Sequence, residues 1–277
     1  MKCQLDNATI YYRIQGRGHP LIMIHGFTLD HRMMLGCMEP VFKNRRGWQR
    51  IYFDLPGMGQ TPGEEWITNS DQMLEVVLDF IDAVVPEQRV TVAGESYGGY
   101  LSRGIIYRRP QRVDGQLLIC PLIVAKDELR TVPPAVKLVE DPELVSSLDP
   151  YDAEFFQSFN TVESSKIWER TREEILSGHR IVDGSFTERL RGEEAYPFSF
   201  DVDDLADGFK GPTLVLLGRQ DWFVGYLDAL KLIELYPRGT FAILDRAAHN
   251  LQIEQETLFN ALVHEWLDRV EEAATTK

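Results

Sequence analysis

Ser96 sits in "GESYG", Gly94 to Gly98, a G-x-S-x-G pattern. A serine hydroxyl is a poor nucleophile near neutral pH. To attack a carbonyl it needs a base for its proton, a group that orients the base, and donors for the oxyanion that forms. The apolar run "RVTVA" precedes the motif and the helix-like "YLSRGIIYRR" follows it. That setting predicts a strand turning abruptly into a helix, with the serine at the tip of a strained turn and backbone N–H groups pointing outward. Such crowding leaves room only for glycine on either side.

His249, in "DRAAHNL", is the candidate base, because it follows the last apolar run and precedes the terminal helix. Of the other histidines, His19 and His31 fall in amino-terminal loops, His179 in a helix-rich middle segment and His264 within the terminal helix. His25, beside an early loop, suits a structural hydrogen-bonding role. Asp221, in "LLGRQDWF" just beyond the penultimate strand, is the candidate to hold the imidazole in one tautomer. Asp245 is its main rival and Asp127 a second. The order Ser96, Asp221, His249 is the one a strand-turn-helix nucleophile of this kind requires.

The elements that must position these groups are legible as short apolar runs. "LIMI" before His25, "RVTVA" before Gly94 and "TLVLL" before Gly218 read as buried parallel strands, as do "QRIYF", "GQLLI" and "TFAIL". Between them lie amphipathic stretches, including Asp71 to Val84 with Leu74, Val77, Leu78 and Ile81 on one face, and Tyr226 to Leu235. Strands alternating with helices predict a doubly wound α/β sheet. At the start, "KCQL" and "TIYYRI" flank Asp6 and Asn7 as a hairpin, which adds an antiparallel edge. The alternation fails from about Pro121 to Phe200, where acidic, aromatic-dotted sequence reads as an inserted helical cap. The expected organisation is a core of residues 1–120 and 201–277 with a cap of 121–200.

Five stretches now line up: "HGF" at His25 to Phe27, "DLPGMGQT" at Asp54 to Thr61, "GESYGG" at Gly94 to Gly99, "GRQD" at Gly218 to Asp221 and "AAHNL" at Ala248 to Leu251. In this order the chain resembles the α/β-hydrolase superfamily over nearly its whole length, and within it the capped serine esterases and proline iminopeptidase-like members. The resemblance implies a triad of Ser96, Asp221 and His249, with an oxyanion hole made by the backbone N–H groups of Phe27 and Tyr97. "DLPGMGQT" is scaffold on this reading, with Asp54 bracing neighbouring loops. Ala248 replaces the usual glycine before the histidine. "HGF" is shorter than the "HGGG" loop of some lipases and argues against that class.

Composition narrows the partners. The 277 residues are 44% hydrophobic and 26% charged, with a net charge of −14 that argues against nucleic acid or an anionic membrane. The short basic cluster "YRRPQR" suits a helix carboxyl end. No apolar stretch is long enough to span a bilayer and the amino terminus lacks a signal-peptide core, so a cytoplasmic location is expected. Cys3, Cys37 and Cys120 are too scattered for disulfides or zinc, and Cys120 reads as a buried hydrophobe. No dinucleotide or phosphate-loop fingerprint occurs, so neither cofactor nor metal is expected. Oligomeric state is left open.

The chemistry these residues imply is acyl transfer through an acyl-enzyme, with small or medium, fairly apolar esters as the first expectation. Leu122, Ile123 and Trp222 border the cap and are candidates for substrate contact. An exopeptidase, with Glu154, Glu193 or Glu194 holding a substrate amine, is the alternative, followed by carbon-carbon bond hydrolysis and a non-catalytic binding role. The ester preference follows from the serine: an aspartate at position 96 would point to dehalogenation or epoxide opening.

Overall fold

In the computed structural model, which describes residues 1–275, eight strands form one sheet. They are β1 (Lys2–Gln4), β2 (Thr9–Gly16), β3 (His19–Ile24), β4 (Trp48–Phe53), β5 (Val90–Glu95), β6 (Val113–Ile119), β7 (Thr213–Gly218) and β8 (Gly239–Leu244). Their spatial order is β1-β2-β4-β3-β5-β6-β7-β8. The β1–β2 hairpin and the β2–β4 pair are antiparallel, and all the remaining pairs are parallel. Every residue of β5, β6 and β7 is buried, as in strands covered on both faces, so their apolar residues fall in consecutive runs such as "LLI" in β6 and "LVLL" in β7 instead of alternating with exposed ones. The chain proceeds from β3 to β4 on one side and from β5 to β8 on the other. The carboxyl ends of β3 and β5 therefore flank the switch point, where open α/β sheets form their binding crevice.

Helix α1 (His31–Phe42) starts at Asp30, whose carboxylate accepts the Arg32 N–H, and α2 (Ser70–Val84) starts at Asn69, which accepts from Gln72. Helix α2 buries Leu74, Val77, Leu78 and Ile81, the face expected from their spacing. Helix α3 (Tyr97–Arg108) follows Ser96 directly and ends inside "YRRPQR". The terminal helix Glu256–Thr275 buries Phe259, Val263, Trp266, Leu267 and Val270. Asp54 braces two loops as expected: it accepts from the backbone and the ring of His31 and from the Gln60 N–H.

Between β6 and β7 the structure refines the sequence reading. Residues 121–141 hold a 3-10 turn at Asp127–Leu129 and a single parallel bridge from Val139 to Val162, and Pro133 and Pro134, which lack N–H donors, keep the backbone before them extended. Helical structure runs from Pro142 to Leu190: Pro142–Ser147, Pro150–Phe159, Ser165–Arg170, a π-helical turn Thr171–Leu176, Ser177–His179 and Gly184–Leu190. Tyr226–Leu235 is likewise broken into a helix at Leu227–Leu230 and a 3-10 turn at Ile233–Leu235. There the Asp228 carboxylate is occupied by the Thr131 N–H and hydroxyl. Among the described residues no helix is long and apolar enough to cross a membrane.

Candidate active site

The strand-to-helix turn at Ser96 is built by steric exclusion. A side chain on Gly94 would strike the Gly98 carbonyl, and one on Gly98 would strike the Ile24 carbonyl on neighbouring β3. Ser96 sits between them with φ 51°, a left-handed conformation that L-residues adopt only under constraint. Its N–H donates to the Ile119 carbonyl at 3.0 Å, and its hydroxyl forms no cap bond to α3. That leaves Oγ free to face His249 Nε2, 3.0 Å away.

His249 lies in the loop after β8. Its Nδ1 is 2.9 Å from Asp221 Oδ2, which fixes the proton on Nδ1 and leaves Nε2 to accept from Ser96 while the ring is neutral. Asp221, after β7, is fully buried, and its Oδ1 accepts from Phe223 and Val224 N–H at 2.9 and 3.1 Å. Burial acts to lower the His249 pKa, but Asp221 and then Glu95 outweigh it and raise it to about 9. The rival acids are engaged elsewhere. Asp245 accepts from Gln220 at the surface, and Asp127 pairs with Arg130 and Arg191.

The Phe27 and Tyr97 backbone N–H groups follow β3 and open α3 respectively, and neither has an acceptor among the described residues. Their rings hold the two segments in register: Phe27 meets Tyr97 and Tyr196 edge-on at 5.3 and 5.2 Å, and the Tyr97 hydroxyl bonds Ser70 Oγ at 2.8 Å. His25 Nε2 accepts the Leu55 N–H and Nδ1 donates to the Gly26 carbonyl, which keeps this loop in place.

Ser96 and His249 open onto a cavity of about 260 Å³. Leu29, Leu122, Phe155, Phe159, Ile175 and Phe223 form its apolar walls. The cavity is lined by Leu122 but not by Ile123 or Trp222. After Asp221 the chain turns so that Phe223 stacks on the His249 ring at 5.5 Å, while Trp222 packs under the Lys137 ammonium. The π-helical turn delivers Ile175 to the wall, and His179 just beyond it meets Thr28 Oγ1 at 3.1 Å. These helix contributions are not legible in the sequence, since π geometry has no sequence signature. Glu95 and Glu254 are likewise unmarked by any motif. Glu254 accepts the Thr161, Val162 and Ala248 N–H groups, tying the inserted helices to the residue before His249.

A mostly parallel sheet in this order, with a serine elbow after β5 and a histidine loop after β8, defines an α/β hydrolase. The chain belongs to the family described as "Serine aminopeptidase, S33", whose model matches residues 21–256. Over 263 residues it is 24% identical to the pimeloyl-[acyl-carrier protein] methyl ester esterase of Legionella pneumophila (strain Paris), covering 91% of this chain and 96% of that protein. It is also 24% identical to a 2-hydroxy-6-oxononadienedioate/2-hydroxy-6-oxononatrienedioate hydrolase of Burkholderia vietnamiensis, over 94% of this chain and 91% of that one. Among solved structures, an α/β superfamily hydrolase from Oenococcus oeni PSU-1 superposes with TM-score 0.87 at 29% identity, covering 98% and 99% of the two chains.

Proposed function

We propose that this protein is a carboxylesterase that cleaves small, fairly apolar esters through an acyl-enzyme on Ser96. The observation that carries the reading is the unbroken line from Asp221 Oδ2 through His249 to Ser96 Oγ, with both contacts at or under 3.0 Å, at the floor of an apolar cavity. In the first half-reaction Ser96 Oγ attacks the ester carbonyl as its proton passes to His249 Nε2. The Phe27 and Tyr97 N–H groups receive the oxyanion, and His249 returns the proton to the departing alkoxide. In the second half water replaces serine as the proton donor and the acid is released.

The cavity argues for esters over peptides. Among the described residues its only carboxyl group is Glu95, beside the triad, and its cations are Arg130 and Arg191, so it offers no separate anionic pocket for a substrate amino terminus. Of the cap glutamates expected to serve that role, Glu193 and Glu194 are exposed and Glu154 does not line the cavity. The volume of about 260 Å³ is near the lower bound of about 300 Å³ for small-molecule sites, which favours short acyl groups. A rate panel of p-nitrophenyl esters of increasing acyl length beside a prolyl arylamide tests the reading. Turnover of the shorter esters that vanishes in Ser96→Ala is expected; turnover of the arylamide alone would overturn the ester assignment. Localisation in the cytoplasm, a cap spanning 121–200 and independence from cofactors stand with this proposal.

A further inference from the structure

Glu95, the last residue of β5 and the neighbour of the nucleophile, has a buried carboxyl with no lysine or arginine paired to it among the described residues. Its side chain is 2% exposed, and Oε1 lies 3.3 Å from His249 Nε2, the same nitrogen that faces Ser96. Oε2 is buried without a hydrogen-bond partner, while the Gly26 N–H acts on the carboxyl from the loop after β3 and favours its ionised form. The carboxyl is packed so closely that a methyl group on Gly26 would overlap Oε2. The chain therefore keeps a glycine in the oxyanion loop where it makes room for this acid.

Two acceptors on one nitrogen create a conflict. If His249 is neutral with its proton on Nδ1, Nε2 carries a lone pair, and an ionised Glu95 at 3.3 Å would face it with another. The contact is attractive only when one proton lies between them. A neutral acid also tolerates a bare buried oxygen at far lower cost than a carboxylate does.

We propose that Glu95 is a positioning residue for the hydrolytic reaction: its carboxyl shares one proton with His249 Nε2 and thereby sets the pH at which the imidazole is free to accept the proton of Ser96. Burial raises the Glu95 acid to about 7, with His249 pulling it down and Asp221 pushing it up. The groups facing Glu95 come from every surrounding loop. They are His249 after β8, Asp221 after β7, the buried Cys120 thiol after β6, the Cys37 thiol on α1 and the Gly26 N–H after β3. Of these, only His249 can carry a positive charge to Glu95. When serine attacks, its O–H bond breaks, the Oγ–carbon bond forms and His249 becomes an imidazolium. Glu95 then offers that cation a second carboxylate on the side opposite Asp221.

The kinetic consequence rests on the esterase reading, whereas the shared proton is a property of the folded protein and is measured without substrate. The experiment is an NMR titration of the His249 imidazole, assigned by its loss in His249→Asn, in wild type and Glu95→Gln. Loss of an anion within about 4 to 6 Å should lower the His249 midpoint by about one to three pH units. Where the variant does not fold, the carboxyl carbon of Glu95 in isotopically labelled wild type is followed instead, and its midpoint should lie above the usual glutamate range and move together with His249. An unchanged His249 midpoint, or a Glu95 carboxyl that titrates like an exposed glutamate, would overturn the proposal. In parallel, the acidic limb of ester turnover should move to lower pH in Glu95→Gln. Turnover surviving in Ser96→Ala would remove the esterase reading and leave the titration standing on its own.

Discussion

On the proposed mechanism, Asp221→Asn isolates the electrostatic contribution of the Asp221–His249–Ser96 line with least change in shape. The substituted amide can still accept from the Phe223 and Val224 N–H groups through its oxygen, so the turn at this position is retained. Its NH₂ then points at His249 Nδ1, drives the ring to the opposite tautomer and puts a proton on Nε2, where Ser96 needs an acceptor. Across 2.9 Å, with an effective dielectric constant of about 20, the lost attraction between imidazolium and carboxylate is about 6 kcal/mol. That corresponds to about ten-thousand-fold in kcat, and the value applies because Asp221 is fully buried. The assay is kcat on a p-nitrophenyl ester at mildly alkaline pH, beside a thermal melt that reports whether the fold is retained. A folded Asp221→Asn protein keeping more than about a tenth of wild-type activity would exclude Asp221 as the partner of the imidazolium. So would a comparable loss in Asp245→Asn, since Asp245 is at the surface with Gln220.

Three further outcomes are expected. Ser96→Ala and His249→Ala should each remove nearly all turnover and their combination little more, because the groups act as one unit; losses that multiply in the double variant would contradict that unit. Glu254→Gln places an amide NH₂ against backbone N–H groups that the carboxylate now accepts, at a cost of about 1 to 3 kcal/mol, and an unchanged urea midpoint would count against this clamp. The folded chain holds the Glu95 proton up to about pH 7, whereas an unfolded glutamate releases it near 4.5, so wild-type stability falls as pH rises across that window. Glu95→Gln has no such proton, and its melting temperature relative to wild type should climb between those limits, by up to about 3 kcal/mol in stability. A constant difference would show that Glu95 titrates normally.

Much of this architecture is legible in the sequence because buried parallel strands are continuous apolar runs and their carboxyl ends carry the polar groups. "LIMI", "RVTVA" and "TLVLL" become β3, β5 and β7, and Ser96, Asp221 and His249 meet because each follows a strand end on the same edge of the sheet. What escaped depends on tertiary packing. The wall residue after Asp221 is Phe223, one position beyond the expected Trp222, because the turn held by Asp221 Oδ1 rotates the chain. Residues 121–141 look like part of a helical insertion by composition, yet their backbone is held by side chains from other elements, as when Asp228 accepts the Thr131 N–H and Arg103 donates to the Leu122 carbonyl. Glu95 lies in plain view inside "GESYG", but the pattern leaves that position unspecified, and only the 3.3 Å approach to His249 shows what the carboxyl meets.

Whether Ser96 is the nucleophile is tested most directly by treating the protein with a fluorophosphonate and mapping the modified residue by mass spectrometry. A single adduct on Ser96 is expected, with loss of ester turnover in proportion to labelling and neither labelling nor turnover in folded Ser96→Ala. An adduct elsewhere, or ester turnover that persists in Ser96→Ala, would rule Ser96 out as the nucleophile.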